Sequence, residues 1–148
     1  MTFTNPAMPA ARAVFDAINS GDLRCLDDAV TADFVDHGSP FPLPPGPGGY
    51  RQILTFVTRV LRLRYEIEDV VQAPDRIVLR ATAHGIGTDR VHGPGAEGRP
   101  YAMPTIHIYR TEGDRLAEHW GVRDELGAAI QCGTVAPPDP AVLTAALA

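Results

Sequence analysis

The sequence predicts an α+β fold, a curved antiparallel β-sheet wrapped around N-terminal helices and enclosing a pocket. Three observations point there. Up to about Leu61 the apolar residues recur at helical spacing, and from Arg64 onward they alternate with period two among β-formers. Helices and strands are segregated along the chain rather than interleaved, which separates this pattern from a parallel α/β sheet. The strands are few, long and alternating, so the sheet has to curl over the helices to bury one face, and such a curl leaves a cavity.

The elements follow in order. "MTFTNPAMPA" is a loose lead-in. Ala11, Val14, Phe15 and Ile18 form the stripe of a first helix that "NSGD" stops. Asp22 can N-cap a short second helix carrying Leu23, Leu26 and Val30 on its inner side. "TADFVDHGSP" is an irregular or short extended piece, and "FPLPPGPGG" is too rich in Pro and Gly for regular structure. "YRQILTFVTRVL" starts a third helix at Tyr50, with Ile53, Phe56, Val57, Val60 and Leu61 as its stripe. "RYEIEDVVQ" and "RIVLRATAHG" around "APD" read as an antiparallel pair, and "GPGAEGRP" as a second loop. "TIHIYR" and "RLAEHWGV" flank "TEGD" as a hairpin, and "ELGAAIQ" is a short closing helix. With 148 residues and no internal repeat, one domain is expected over 1–148, its core at about 8–133 and a tail at 134–148.

Composition narrows the function. A formal charge of −5 argues against a nucleic-acid partner, which would need a basic face. All 13 basic side chains are arginine, which reads first as codon bias rather than as so many anion sites, and the lack of lysine excludes a Schiff base. Cys25 and Cys132 are too few and too scattered for a disulfide framework or a zinc site. No signal peptide or membrane-length apolar run is visible, so a soluble cytoplasmic protein without membrane partners is expected. No H-x-H or H-x-x-x-H occurs, and Asp36 and His37 point apart on an extended chain, so no metal is expected.

The candidate chemistry centres on "AEHWGVRDELG". On a strand, Trp120, Val122 and Asp124 share a face, and a carboxylate beside an indole and an aliphatic group loses solvation and gains basicity. Asp124 is also well placed to cap the helix beginning "ELG", and the two roles are compatible. His107 lies on the strand face it shares with Tyr109, opposite Ile106 and Ile108. Hairpin register decides whether it meets Asp124. A four-residue loop, Thr111 to Asp114, sets His107 opposite Glu118 on the Trp120 and Asp124 face, whereas a three-residue loop sets it opposite His119 on the other. The four-residue count is preferred, and a bulge would alter either. His37, at a helix–loop junction, suits a pocket rim, whereas His84 and His92 are expected to face solvent.

"FDAINSGDL", "VDHGSP", "GPGGYRQ", "DRIVLRATAHG" and "IHIYR", followed by "GDRLAEHWGVRDELGAAIQCG", resemble the SnoaL-like polyketide cyclases, predicted ester cyclases of the nuclear-transport-factor-2-like superfamily. The resemblance runs from about Phe15 to Gly133. It implies the cone-shaped fold, a homodimer or homotetramer, and a small-molecule polyketide-like substrate from antibiotic biosynthesis. It also implies a cofactor-independent aldol condensation that closes the last ring of an aromatic polyketide ester by acid/base catalysis. The family's aspartate matches Asp124, with His107 as the second catalytic candidate; His37 and Trp120 match pocket positions. Phe15, Tyr50 and Tyr109 complete the candidate substrate-binding set. The alternatives are another small-molecule enzyme on this fold (an epoxide hydrolase, an isomerase or a hydroxylation partner) or a non-catalytic small-molecule binding protein. A hydrolase would draw on Arg80 or Arg123, although strand parity sets Arg123 opposite Asp124.

Overall fold

In the computed structural model, which describes residues 2–148, α1 (Met8–Ser20) buries the stripe Ala11, Val14, Phe15 and Ile18. It stops at Gly21, whose φ of 80° provides a left-handed cap. The lead-in is not loose throughout: Asn5 is buried, donating from Nδ2 to Ala73 O at 2.8 Å and Thr111 Oγ1 at 3.0 Å. α2 (Leu26–Ala29) is a single turn that Asp22 does not cap, because the Asp22 carboxylate is taken by Arg24. The stretch after it is a strand, β1 (Val30–Asp36), whose pairing is irregular between Val30 and Val35. α3 (Pro47–Arg59) starts before Tyr50, with a proline in its first turn, where the missing N–H costs no helical bond. It ends before Val60, which is exposed.

β2 (Arg64–Ala73), β3 (Arg76–Ile86), β4 (Pro100–Glu112) and β5 (Arg115–Arg123) complete a sheet of order β1-β5-β4-β3-β2. Neighbours pair antiparallel except β1, which runs parallel to β5, so the sheet is mixed rather than antiparallel throughout. It does not close on itself. Glu68 in β2 and Ala117 in β5 are extra residues in their ladders, and bulges of this kind bend and twist a sheet. The concave face is filled by α1 and α3, with Phe15, Phe34, Leu54, Leu79 and Leu116 in one continuous apolar core. One turn, α4 (Asp89–His92), interrupts the β3–β4 loop. α5 (Glu125–Gln131) is tied to β4 by the Gln131 amide, which bonds both backbone groups of Ala102. α6 (Pro140–Ala146) buries none of its residues. Among the described residues, no helix is long and apolar enough to cross a membrane.

The β4–β5 hairpin matches neither expected loop count. Glu112 pairs with Arg115 across a two-residue turn, Gly113 and Asp114, with Gly113 at φ 58°. Thr111 stays in the strand because it is held from outside, its Oγ1 by Asn5 and its N–H by Asp75 O at 3.0 Å. The bulge at Ala117 then shifts the register so that His107 faces Gly121. His107 therefore shares the concave face with His119, Gly121 and Arg123. The face carrying Ile106, Ile108, Trp120 and Val122 is convex and exposed.

Candidate active site

Two adjoining cavities open between the sheet and α3. The outer one, about 370 Å³, is walled mainly by apolar side chains, among them Phe41, Phe56, Leu63, Tyr101 and Met103. The inner one, about 20 Å³, lies against the concave face and is lined by Phe15, Asp36, Tyr50, Tyr65, His107 and His119, among others. Ile53, Val57 and Arg123 line both, so they form the neck. A larger hollow of about 560 Å³ beside Asp16, Ser20 and Arg24 is an open surface depression without converging buried polar groups.

A line of hydrogen bonds runs along the floor of the inner cavity. Asp36 Oδ1 accepts from Gly38 N–H at 2.8 Å and lies 2.7 Å from His119 Nδ1. His119 Nε2 is 3.0 Å from His107 Nδ1, and His107 Nε2 is 3.1 Å from Thr105 Oγ1. The Thr105 hydroxyl lies 3.0 Å from Ala81 O, where it can only donate. Its oxygen therefore accepts from His107 Nε2–H, which leaves His107 Nδ1 to accept from His119 Nε2–H. At the other end of the line the Asp36 carboxylate accepts from His119 Nδ1–H. Asp36 and His119 are both nearly inaccessible to solvent, with side-chain exposures of 5% and 4%. Asp36 Oδ2 makes no hydrogen bond to the protein among the described residues.

The electrostatics agree with this pattern. Burial, reinforced by the charges of His119 and Arg123, pushes His107 well below the ordinary histidine value and keeps it neutral. Burial alone would raise the Asp36 carboxyl, but the His119 hydrogen bond and charge, the Gly38 N–H and Arg123 outweigh it and hold Asp36 below the usual carboxylate range. Tyr50 and Tyr109 share a 2.8 Å hydroxyl–hydroxyl bond, and burial raises both phenols, so they stay protonated. Phe15 and Tyr65 set their rings edge-on to His107 at 5.2 and 5.3 Å, and Tyr109 stacks on His119 at 4.7 Å. Gly121 makes room for this packing: a Cβ there would lie 3.0 Å from His119 Cε1.

The expected residues divide between the two sides of the sheet. His107, Phe15, Tyr50 and Tyr109 meet at the inner cavity. Asp124 does not join them. It is exposed and caps α5, its Oδ1 accepting from Gly127 N at 2.9 Å, because the two-residue turn and the bulge give its strand the opposite parity to the one preferred from sequence. Trp120 and His37 are likewise outside the cavity. Their rings stack on the convex side at 5.0 Å, with His37 Nε2 bonded to Glu118 Oε2 at 2.8 Å and the Arg76 guanidinium 5.9 Å from the indole centre. His84 is exposed, whereas His92, expected in solvent, lines the outer cavity beside Tyr101. Sequence reasoning missed Asp36, His119 and Thr105 as site residues, and it raised Arg123 only for the alternative hydrolase. The available signal was the alternation His119–Gly121–Arg123, which the three-residue hairpin would have turned toward His107. Asp36, His119 and His107 run in a line rather than converging, and no group of three His, Cys, Asp or Glu able to hold a metal forms among the described residues.

The model of the family described as SnoaL-like polyketide cyclase matches residues 9–132. Among solved structures, IdmH from Streptomyces antibioticus, a candidate polyketide cyclase, is 26% identical over 88% of this chain and 99% of its own, with a TM-score of 0.73. TsrD from Streptomyces laurentii is 27% identical over 86% of this chain and 98% of its own, with a TM-score of 0.69. A candidate polyketide cyclase from Acidithiobacillus ferrooxidans, 18% identical, covers 92% of this chain and all of its own with a TM-score of 0.75, a likeness of fold. No curated protein matches the chain. With the family model spanning α1 to α5 and the concave sheet in place, the chain belongs to the SnoaL-like polyketide cyclase family.

Proposed function

We propose that the protein is an acid/base enzyme that closes a ring of a polycyclic aromatic polyketide by an intramolecular aldol-type condensation, with Asp36 as its base. The observation that carries this reading is the asymmetry of one carboxylate. Asp36 Oδ1 is fixed by two donors, while Oδ2 is free of protein partners in a residue that lines the inner cavity. Oδ2 takes the proton of a carbon activated by neighbouring carbonyls. The electron pair left behind forms an enolate, and its carbon attacks the ketone to make the new C–C bond. The resulting alkoxide takes the proton back from the Asp36 carboxylic acid. The aromatic rings occupy the outer cavity, and the line through His119, His107 and Thr105 holds the carboxylate in place while its charge comes and goes.

The test is deuterium exchange at the activated carbon of an aromatic 1,3-diketone, followed by NMR. Asp36→Asn should lose about 100-fold or more in rate. Asp124→Asn should exchange at the wild-type rate, since Asn caps a helix as well as Asp does. A wild-type rate in Asp36→Asn, or a loss confined to folded Asp124→Asn, would overturn the assignment.

One observation favours a second reading, addition of water to a substrate such as an epoxide. The inner cavity, about 20 Å³, suits a single water beside Asp36 and Arg123. Oxygen-18 passing from solvent into product would select this reaction, and its absence the condensation.

A further inference from the structure

Arg123 has a task that neither the fold nor the base chemistry accounts for. Every other arginine is either exposed or ion-paired to a carboxylate; Arg51, Arg76 and Arg110, the remaining half-buried ones, pair with Asp27, Asp75, and Glu112 and Glu118. Arg123 is half-buried and pairs with no carboxylate among the described residues. Its Nη1 donates to Gly38 O at 3.2 Å and the Tyr65 side chain lies beside it, which leaves most of its N–H donors without a protein acceptor. An exposed guanidinium satisfies such donors with bulk water. At the neck between a mainly apolar cavity and a buried one, an unpaired cation is expensive. The nearby carboxylates attract it without pairing with it: Asp36 gives its Oδ1 to His119 at 2.7 Å, and Glu125 sits at the exposed rim. The neck therefore carries a guanidinium with N–H donors to spare, aimed at the place where the two cavities meet.

From this geometry we propose that Arg123 is a carboxylate-binding residue and that the substrate is a planar, apolar free acid rather than its ester. The inference rests on the same cavity as the proposed condensation and names the class of molecule that enters it. The carboxylate lies at the neck against the guanidinium, whose planar fork matches its two oxygens. The rings extend into the outer cavity among Phe41, Phe56, Tyr101 and Met103. The carbon next to the acid-bearing ring position then faces Asp36 Oδ2. An enolate oxygen formed during reaction would find the same donors, but its charge would exist only during turnover, whereas a carboxylate is already charged on binding.

Calorimetry with 2-naphthoate and methyl 2-naphthoate at pH 7.5 separates these sources without requiring turnover. Wild-type protein should bind the acid about tenfold or more tightly than the ester, as expected for a charge-assisted bidentate pair. Arg123→Gln should lose that preference while keeping its affinity for the ester, which also reports an intact cavity, and Arg123→Lys should keep part of it. Equal wild-type affinity for acid and ester, or no binding of either at millimolar concentration, overturns the proposal, and neither result depends on a variant folding. Acid preference without exchange activity would sink the condensation and leave the carboxylate site. Exchange activity without acid preference would do the reverse and assign Arg123 to the enolate.

Discussion

His107→Gln isolates the titration of one buried ring. In the folded protein, burial and the neighbouring charges keep His107 neutral well below its ordinary value, whereas in the unfolded chain it takes up a proton near pH 6.5. Between those two points the unfolded state binds the extra proton, so this group's contribution to stability is complete above about pH 6.5 and falls as pH is lowered. The slope is about 1.4 kcal/mol per pH unit, or about 2 kcal/mol over the 1.5 units down to pH 5. Glutamine copies the neutral ring: its carbonyl can accept from His119 Nε2–H and its amide can donate to Thr105 Oγ1, and it has nothing to titrate. Urea unfolding of both proteins, followed by far-UV circular dichroism at pH 7.5, 6 and 5, gives the comparison. Whatever the packing difference at pH 7.5, the variant should gain about 2 kcal/mol on the wild type by pH 5. Parallel curves, within about 0.5 kcal/mol across that range, would mean that the fold does not hold His107 neutral, and the proton assignments along the line would fall with it.

Gly121→Ala would place a Cβ 3.0 Å from Cε1 and 3.2 Å from Nε2 of His119, a ring already fixed at both nitrogens. Its stability should drop by about 1 kcal/mol, overpacking outweighing the gain from replacing a strand glycine, and exchange activity should fall with it; an unchanged melting temperature and rate would show that the ring gives way freely. We expect a homo-oligomer through the convex face of Ile106, Ile108, Trp120 and Val122. Val122→Glu, at a position 74% exposed in the single chain, should lower the mass seen in sedimentation equilibrium with little effect on the fold, and a monomeric wild type would refute it.

The helices were legible because their apolar stripes face one core: the stripe of α1 is the buried one, and α3 departs only at its ends. The strands were legible as strands, but not as to which face is inner. On β4 the concave side carries Thr105, His107 and Tyr109 and the convex side carries Ile106 and Ile108, so alternation inverts the usual rule of apolar inside. The same inversion on β5 made Trp120 and Val122 look like a pocket wall. His119, buried because it pairs with Asp36 far away in sequence, and the half-buried Arg123 fell on the face that the preferred register set away from His107. Asp36 was hidden for a related reason. Its role depends on β1 lying parallel beside β5, a pairing across more than half the chain that no local pattern announces. Asp124 was read correctly in its modest role, since a helix cap is a local property of "RDELG".

Ala117 gives the protein an unusual genetic tolerance. It is a buried alanine that touches none of the chemistry, and most substitutions near it would be judged by packing alone. As the extra residue of β5 it is the one the ladder leaves out, with Thr111 paired to Leu116 before it and Arg110 to Glu118 after it. Loss of its single codon would remove the bulge and keep those pairs, so His107 would still face Gly121, and His119 and Arg123 would still look inward. The bulge is thus a place in the hairpin where the chain can lose one residue without re-aiming the side chains beside Asp36.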